Sequence, residues 1–293
     1  MGLGQTILLG AIAAVTIVLG MPVGRLRGPA PALRVLLNAV AIGVLLFLVW
    51  DVLSAAWEPI DAALADVSHG RGGLPGAVGY GALFAGGLTV GLLSLVGYER
   101  WLTRAKTAAP RPVVRFGPGA MATAEARSRR GVAAWAPARR LALLIAVGIG
   151  LHNFAEGLAI GQSAAAGELG LATVLVVGFA LHNATEGFGI VAPLAAADPD
   201  RVASERPSWA FLLALAAIGG GPTLVGTVVG HAFTNEPTAV AFLTLAAGSI
   251  LYVIVQLLAV ANRSPRRDLI YIGLLVGLLA GFLTDAIVTA GGA

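Results

Sequence analysis

The chain contains no cysteine among its 293 residues, which excludes disulfides and thiolate metal sites alike. Any metal it binds is therefore held by nitrogen and oxygen. Charge is scarce too: Asp, Glu, Lys and Arg make up 12% of the residues, far below the roughly 25% of a soluble globular domain. Lysine occurs once, at Lys106, so the basic side chains are almost all arginine. No basic region precedes the first apolar stretch, and a cleaved signal peptide is not expected.

What fills the chain instead is apolar. Hydrophobic residues account for 57% and the mean hydropathy is +0.86, so the solvent of this protein is lipid. A helix needs about 20 predominantly apolar residues to cross the hydrocarbon. Stretches of that length fall at 3–21, 33–53, 77–98, 140–162, 168–194, 209–231, 238–260 and 269–290. Forty glycines spread through them, with few alternating runs, favour helices over the short alternating strands of a barrel. The expected fold is an all-α integral membrane protein, a bundle of eight transmembrane helices.

Basic residues then set the orientation, because cytoplasmic loops accumulate Lys and Arg. Eighteen of the nineteen fall on one side of the eight-span arrangement and only Arg71 on the other. Both termini are expected outside, with the basic 99–139 connection in the cytoplasm as a mobile linker against anionic headgroups. The opposite face carries Asp51, Glu58, Asp61, Asp66, Glu168 and Glu236, a surface that concentrates cations. The pI near 10.1 is thus a topology signal, and no nucleic-acid partner is expected. The chain divides into 1–98 with three helices, 99–139 as the cytoplasmic loop, 140–194 as a central helix pair, and 195–293 with the last three helices.

One pattern is repeated. Residues 151–160 read LHNFAEGLAI and residues 181–190 read LHNATEGFGI. His152 and Glu156 are four apart, which stacks them on one helical face, and His182 and Glu186 repeat the spacing. A connection as short as 163–167 makes the two helices antiparallel neighbours. His152 is then expected level with Glu186, and Glu156 with His182. Imidazole nitrogen and carboxylate oxygen bind Zn²⁺ and its neighbours at about 2.0–2.2 Å, so four such groups converging at mid-membrane enclose one divalent ion. Asn153 and Asn183 lie about 100° around each helix from the preceding His, placed to ligate or to support. Gly157, Gly187 and Gly189 are expected to let these two helices approach closely. The bland alternative is a pair of His–Glu hydrogen bonds joining two helices; ionisable groups are costly in lipid and cluster at functional sites, which favours the metal.

At these residues the chain resembles the ZIP (Zrt/Irt-like) family of divalent-metal transporters, in its prokaryotic form. Eight helices, outside termini, a long cytoplasmic connection after the third helix and motifs on the fourth and fifth all agree. The family's His-Asn-x-Pro-Glu-Gly on the fourth helix is matched by His152, Asn153, Glu156 and Gly157. On the fifth, a polar residue and a glutamate four places later are matched by His182 and Glu186. The resemblance implies that these four side chains form the transport site, with Asn153 and Asn183 contributing to an adjacent second position. It implies a multi-pass protein of the plasma (inner) membrane that moves Zn²⁺, Fe²⁺, Mn²⁺, Co²⁺ or Cd²⁺ toward the cytoplasm by alternating access. The metal is then substrate, no prosthetic group is expected, and the partners are the ion, the bilayer and, as an open arrangement, a second copy in a homodimer.

The chain also departs from the family. Ala155 and Thr185 stand where proline usually precedes each glutamate, so a kink there is weaker or absent. Gly221, before Pro222, stands where many members carry a carboxylate on the sixth helix, so one well-held ion is favoured over two. Asp51 and Glu58 are candidate entrance residues, His231 and Glu236 are expected at the surface, and Asp285 in the last helix has no assigned role. Two competing classes use the same pairs. An intramembrane metalloenzyme calls for His-Glu-x-x-His or Glu-x-x-His spacing and a spare general base, neither of which occurs. A haem protein would use His152 and His182 as axial ligands, which two adjacent glutamates oppose.

Overall fold

A computed structural model of the chain describes residues 2–25, 31–107, 132, 135–167, 169–195, 206–232 and 235–290. Eight α-helices cover most of them: α1 (Leu3–Thr16), α2 (Pro31–Ser68), α3 (Leu74–Thr107), α4 (Pro137–Ala166), α5 (Leu169–Ala195), α6 (Trp209–Ala232), α7 (Glu236–Ala261) and α8 (Arg267–Ala290). No strand occurs among the described residues. All of these except α5 meet the length and composition needed to cross a membrane on their described residues, α1 doing so together with the segment that follows it.

Local chemistry explains the boundaries. Pro137 opens α4 at its first turn, where a missing N–H costs nothing, and Gly167 closes it with φ 83°, the left-handed conformation that glycine takes without strain. Asn235 caps α7 by accepting from the Thr238 amide at 3.0 Å. α1 departs from the expected unbroken span. Past Thr16 the chain tightens into a 3₁₀ segment, Ile17–Arg25, which contains Gly20, Pro22 and Gly24. Proline removes a helical donor and glycine weakens the helix, which favours the tighter turn here.

The second and third helices also overrun their expected ends. α2 has 38 residues, about 57 Å at 1.5 Å per residue, against a hydrocarbon core of about 30 Å. It carries Glu58, Asp61 and Asp66 on its projecting part, and Gly70 at φ 68° turns the chain toward α3. The 99–139 connection is correspondingly shorter, because α3 runs to Thr107 and α4 begins at Pro137. Residues 108–131 between them lie outside the described residues.

Glycines decide how the helices meet. An ideal Cβ on Gly43 of α2 would stand 2.9 Å from Gly277 Cα of α8, and one on Gly248 of α7 would stand 3.1 Å from Gly91 Cα of α3. Likewise Gly273 meets Leu36 and Ala39, while Gly87 meets Ala241 and Thr244. The two helix pairs are built in the same register. A matching relation joins α4–α6 to α5 and the 3₁₀ segment after α1: a Cβ on Gly226 would stand 3.1 Å from Leu158 N, and one on Gly20 would stand 2.5 Å from Phe188 N. The first three helices and the last three thus repeat each other around a central pair. Gly10 opposite Thr227 and Gly220 opposite Ala14 make α1 and α6 antiparallel, so the repeat is inverted.

Described charges sort to the two ends of the bundle. One end holds Arg25, Arg34, Arg104, Arg139, Arg140, Arg263, Arg266 and Arg267, with Asp268 paired to Arg266; the other holds Glu58, Asp61, Asp66 and Glu236, with Arg71 paired to Asp66. Large fully buried side chains, among them Met21, Leu45, Leu48, Ile145, Ile149, Ile190 and Leu212, pack the arginine-bearing half into one continuous core.

Candidate metal site

The repeated motifs lie in the middle of α4 and α5, just beyond that core. α4 runs unbroken through Ala155 and α5 through Thr185, as expected where proline is missing. Of the motif side chains, His152, Asn153, Glu156, Asn183 and Glu186 are all buried, none more than 5% exposed. His182 lies on α5, and its side chain is outside the described residues. His152 Nε2 stands 3.0 Å from Glu156 Oε1 on the same helix face, as the four-residue spacing requires. Among the described residues no three His, Cys, Asp or Glu side chains gather closely enough to hold an ion. What the structure brings together is the α4 pair; Glu186 is buried on α5.

The asparagines tie this pair of helices to their neighbours. Asn153 Nδ2 donates to the Gly219 carbonyl of α6 at 3.0 Å, and Asn183 Nδ2 donates to the Ala13 carbonyl of α1 at 3.1 Å. Each acceptor lies where its helix is perturbed, Gly219 just ahead of Pro222 and Ala13 just ahead of the 3₁₀ segment. Committing the amide nitrogens leaves both Oδ1 atoms without a hydrogen-bond partner among the described residues, and Thr223 Oγ1 on α6 has none either. A buried polar atom left so costs about 1–3 kcal/mol, so three of them mark a place where a ligand is expected to compensate.

The glycines expected between α4 and α5 do different work. Gly157 packs on Thr223 and Thr227 of α6, Gly187 packs on Ile17 and Gly20, and of the three only Gly189 looks toward α4, where a Cβ would stand 4.0 Å from Ile149 and 3.8 Å from Ala41 of α2. The main partner of α4 is α6, and that of α5 is α1 with its 3₁₀ segment. Spacing within a motif shows a helix face but not which neighbour it meets. At Gly221 nothing stands within 4 Å of where a Cβ would be. Gly226 faces α4, Gly219 meets Ile190 and Ile17, and Gly220 faces α1, which puts residue 221 on the opposite side of α6.

Asp51 is half-buried on α2 well before its end, and Glu58 is exposed on the projecting part. Phe47 packs over Gly281, and the two helices run parallel. One turn on, Asp51 and Asp285 therefore come level. Their counterparts in the repeat are Gln256 and Glu99, which are hydrogen-bonded at 3.1 Å, with Tyr252 donating to the same carboxylate at 2.9 Å. His231, expected at the surface, is half-buried with Nδ1 3.2 Å from Thr6 Oγ1, while Glu236 is exposed and accepts from Tyr80 at 2.7 Å. Sequence reading missed Thr223, Glu99 and the Asp51–Asp285 register, because each depends on which helices touch.

No curated protein matches the chain. A family model does, that of the ZIP zinc transporter, over residues 118–289, which is more than half of the chain and spans α4 to α8. Apolar helices of membrane length, a buried imidazole–carboxylate pair at mid-helix and this match agree: the chain belongs to the ZIP zinc transporter family.

Proposed function

We propose that this member of a divalent-metal transporter family moves Zn²⁺, or Fe²⁺, Mn²⁺, Co²⁺ or Cd²⁺, across the plasma membrane toward the cytoplasm. His152 and Glu156 of α4 with His182 and Glu186 of α5 hold the ion at mid-membrane, and Asn153 and Asn183 stand beside it. All eight helices span, both termini lie outside, and the central pair works between the two three-helix repeats. The observation that carries this reading is the buried His152–Glu156 contact at 3.0 Å in the middle of a membrane-length helix. An ionisable side chain there costs about 3 kcal/mol. Two glutamates balance one divalent charge while neutral imidazoles complete its shell, so the ion is the natural compensation.

Inward movement is what the family resemblance implies, and the distribution of charge agrees with it. Arginines at one end mark the cytoplasmic face. Glu58 and then Asp51, level with Asp285, collect ions from the acidic end. An apolar core lies between the site and the arginine-bearing end, so inward delivery requires that core to open. Delivery requires the central helices to move against the rest, exposing the site alternately. Because the ligands must be deprotonated, acid weakens binding and offers a release route. The test is metal accumulation in proteoliposomes across a panel of divalent ions, wild type beside Glu156→Gln. Loss of accumulation in the variant is expected, and wild-type accumulation would overturn the proposal.

A further inference from the structure

Four elements enclose the centre of this site. α4 packs on α6, α6 on α1, α1 and its 3₁₀ segment on α5, and α5 on α4, closing a square. On α6, Gly226 and Gly230 face α4, Gly220 and Thr227 face α1, and Gly219 meets Ile190 of α5 and Ile17 across the square. Thr223 falls between the α4-facing and α1-facing rows, about 60° around the helix from Gly226 and about 60° from Gly220. It therefore points into the square. On α4, Gly150, Gly157 and Gly161 meet α6 and Ile149 meets α5, which puts Asn153 on the inward side as well. Asn183 is its counterpart on α5, since each amide donates to the neighbour related by the repeat.

The chemistry of Thr223 is unusual for a helical threonine. Such hydroxyls ordinarily donate to the carbonyl four residues back, as Thr227 does to Thr223 O at 2.8 Å and Thr244 does to Val240 O at 2.8 Å. For Thr223 that carbonyl belongs to Gly219, which accepts Asn153 instead. Its hydroxyl is fully buried and has no hydrogen-bond partner among the described residues. The place of Thr223 in the other repeat is taken by Ile17, so only one side of the square carries this oxygen.

We infer that Thr223 is a specificity-determining ligand, its hydroxyl joining the Asn153 and Asn183 carbonyl oxygens as a neutral-oxygen wall around the carried ion. The inference rests on the proposed His/Glu site. Glu156 and Glu186 already balance one divalent charge, so these oxygens add ligands without adding charge. They raise the coordination number above the four that Zn²⁺ prefers and suit ions that favour six oxygen-rich ligands, such as Mn²⁺. The contribution of α6 thus comes from Thr223 rather than from a carboxylate at Gly221.

The experiment uses purified full-length protein equilibrated with equimolar Mn²⁺ and Zn²⁺, with bound metal counted by mass spectrometry. Thr223→Val, which keeps the shape and removes the hydroxyl, is expected to lower the bound Mn²⁺-to-Zn²⁺ ratio about tenfold, with Thr223→Ser holding the wild-type ratio. Should the valine variant not fold, Thr223→Ala carries the same expectation. An unchanged ratio in a monodisperse variant, with Glu156→Gln binding no metal beside it, would overturn the role of Thr223 alone. Undiminished binding by Glu156→Gln would instead overturn the His/Glu site beneath it.

Discussion

At the scale of single residues, the account depends on buried groups whose burial is worth its cost only around a cation. His152→Ala and Glu186→Ala are each expected to abolish uptake while the purified protein keeps its elution profile; uptake within twofold of wild type in either would remove that residue from the site. Neutral imidazole and ionised carboxylate are the ligating forms, so affinity is expected to fall as the solution is acidified. A titration of bound metal against pH checks the sign. The His152–Glu156 pair was legible in the sequence because four-residue spacing in a helix dictates proximity, and the structure places the two 3.0 Å apart. Thr223 was not legible. Its hydroxyl has no partner among the described residues, and the carbonyl one turn back accepts Asn153 from a different helix, a contact no spacing rule foretells.

At the scale of helices, contact distance is set by what glycine lacks. A Cβ on Gly157 would stand 2.8 Å from Thr227 N, and one on Gly226 would stand 3.0 Å from the Phe154 carbonyl carbon. Gly157→Ala and Gly226→Ala are each expected to force α4 and α6 apart at a cost of about 1–3 kcal/mol. Gly221→Ala, with open space around it, is expected to be neutral or stabilising by up to about 1 kcal/mol, alanine being the better helix former. Thermal unfolding of the three variants in detergent separates these outcomes, and equal midpoints would contradict the packing. The presence of eight helices could be read from apolar runs, but their ends could not. Hydropathy falls where lipid ends, whereas α2 continues to Ser68 on an amphipathic stretch with Trp57 and Asp61 hydrogen-bonded one turn apart at 2.8 Å. The break at Ile17–Arg25 was hidden for the opposite reason: that segment stays apolar, and only Gly20, Pro22 and Gly24 hint at a tighter turn.

At the scale of the whole molecule, topology and repeat combine. A chain without cysteine lends itself to single-cysteine mapping. Arg71→Cys in intact cells is expected to react with an impermeant maleimide, and Arg263→Cys only after permeabilisation; the reverse pattern would invert the proposed orientation. The inverted repeat was not visible beforehand, because it lies in which glycines meet rather than in similar strings of residues. Gly43 with Gly277 answers Gly248 with Gly91, although the flanking sequences share little. The central pair stands between these halves, and on it rests the main claim. An anomalous difference map from crystals grown with Cd²⁺ tests that claim most directly. One strong peak ligated by His152, Glu156, His182 and Glu186 is predicted; a map whose only peaks lie at the acidic surface, with those side chains turned toward lipid, would contradict it.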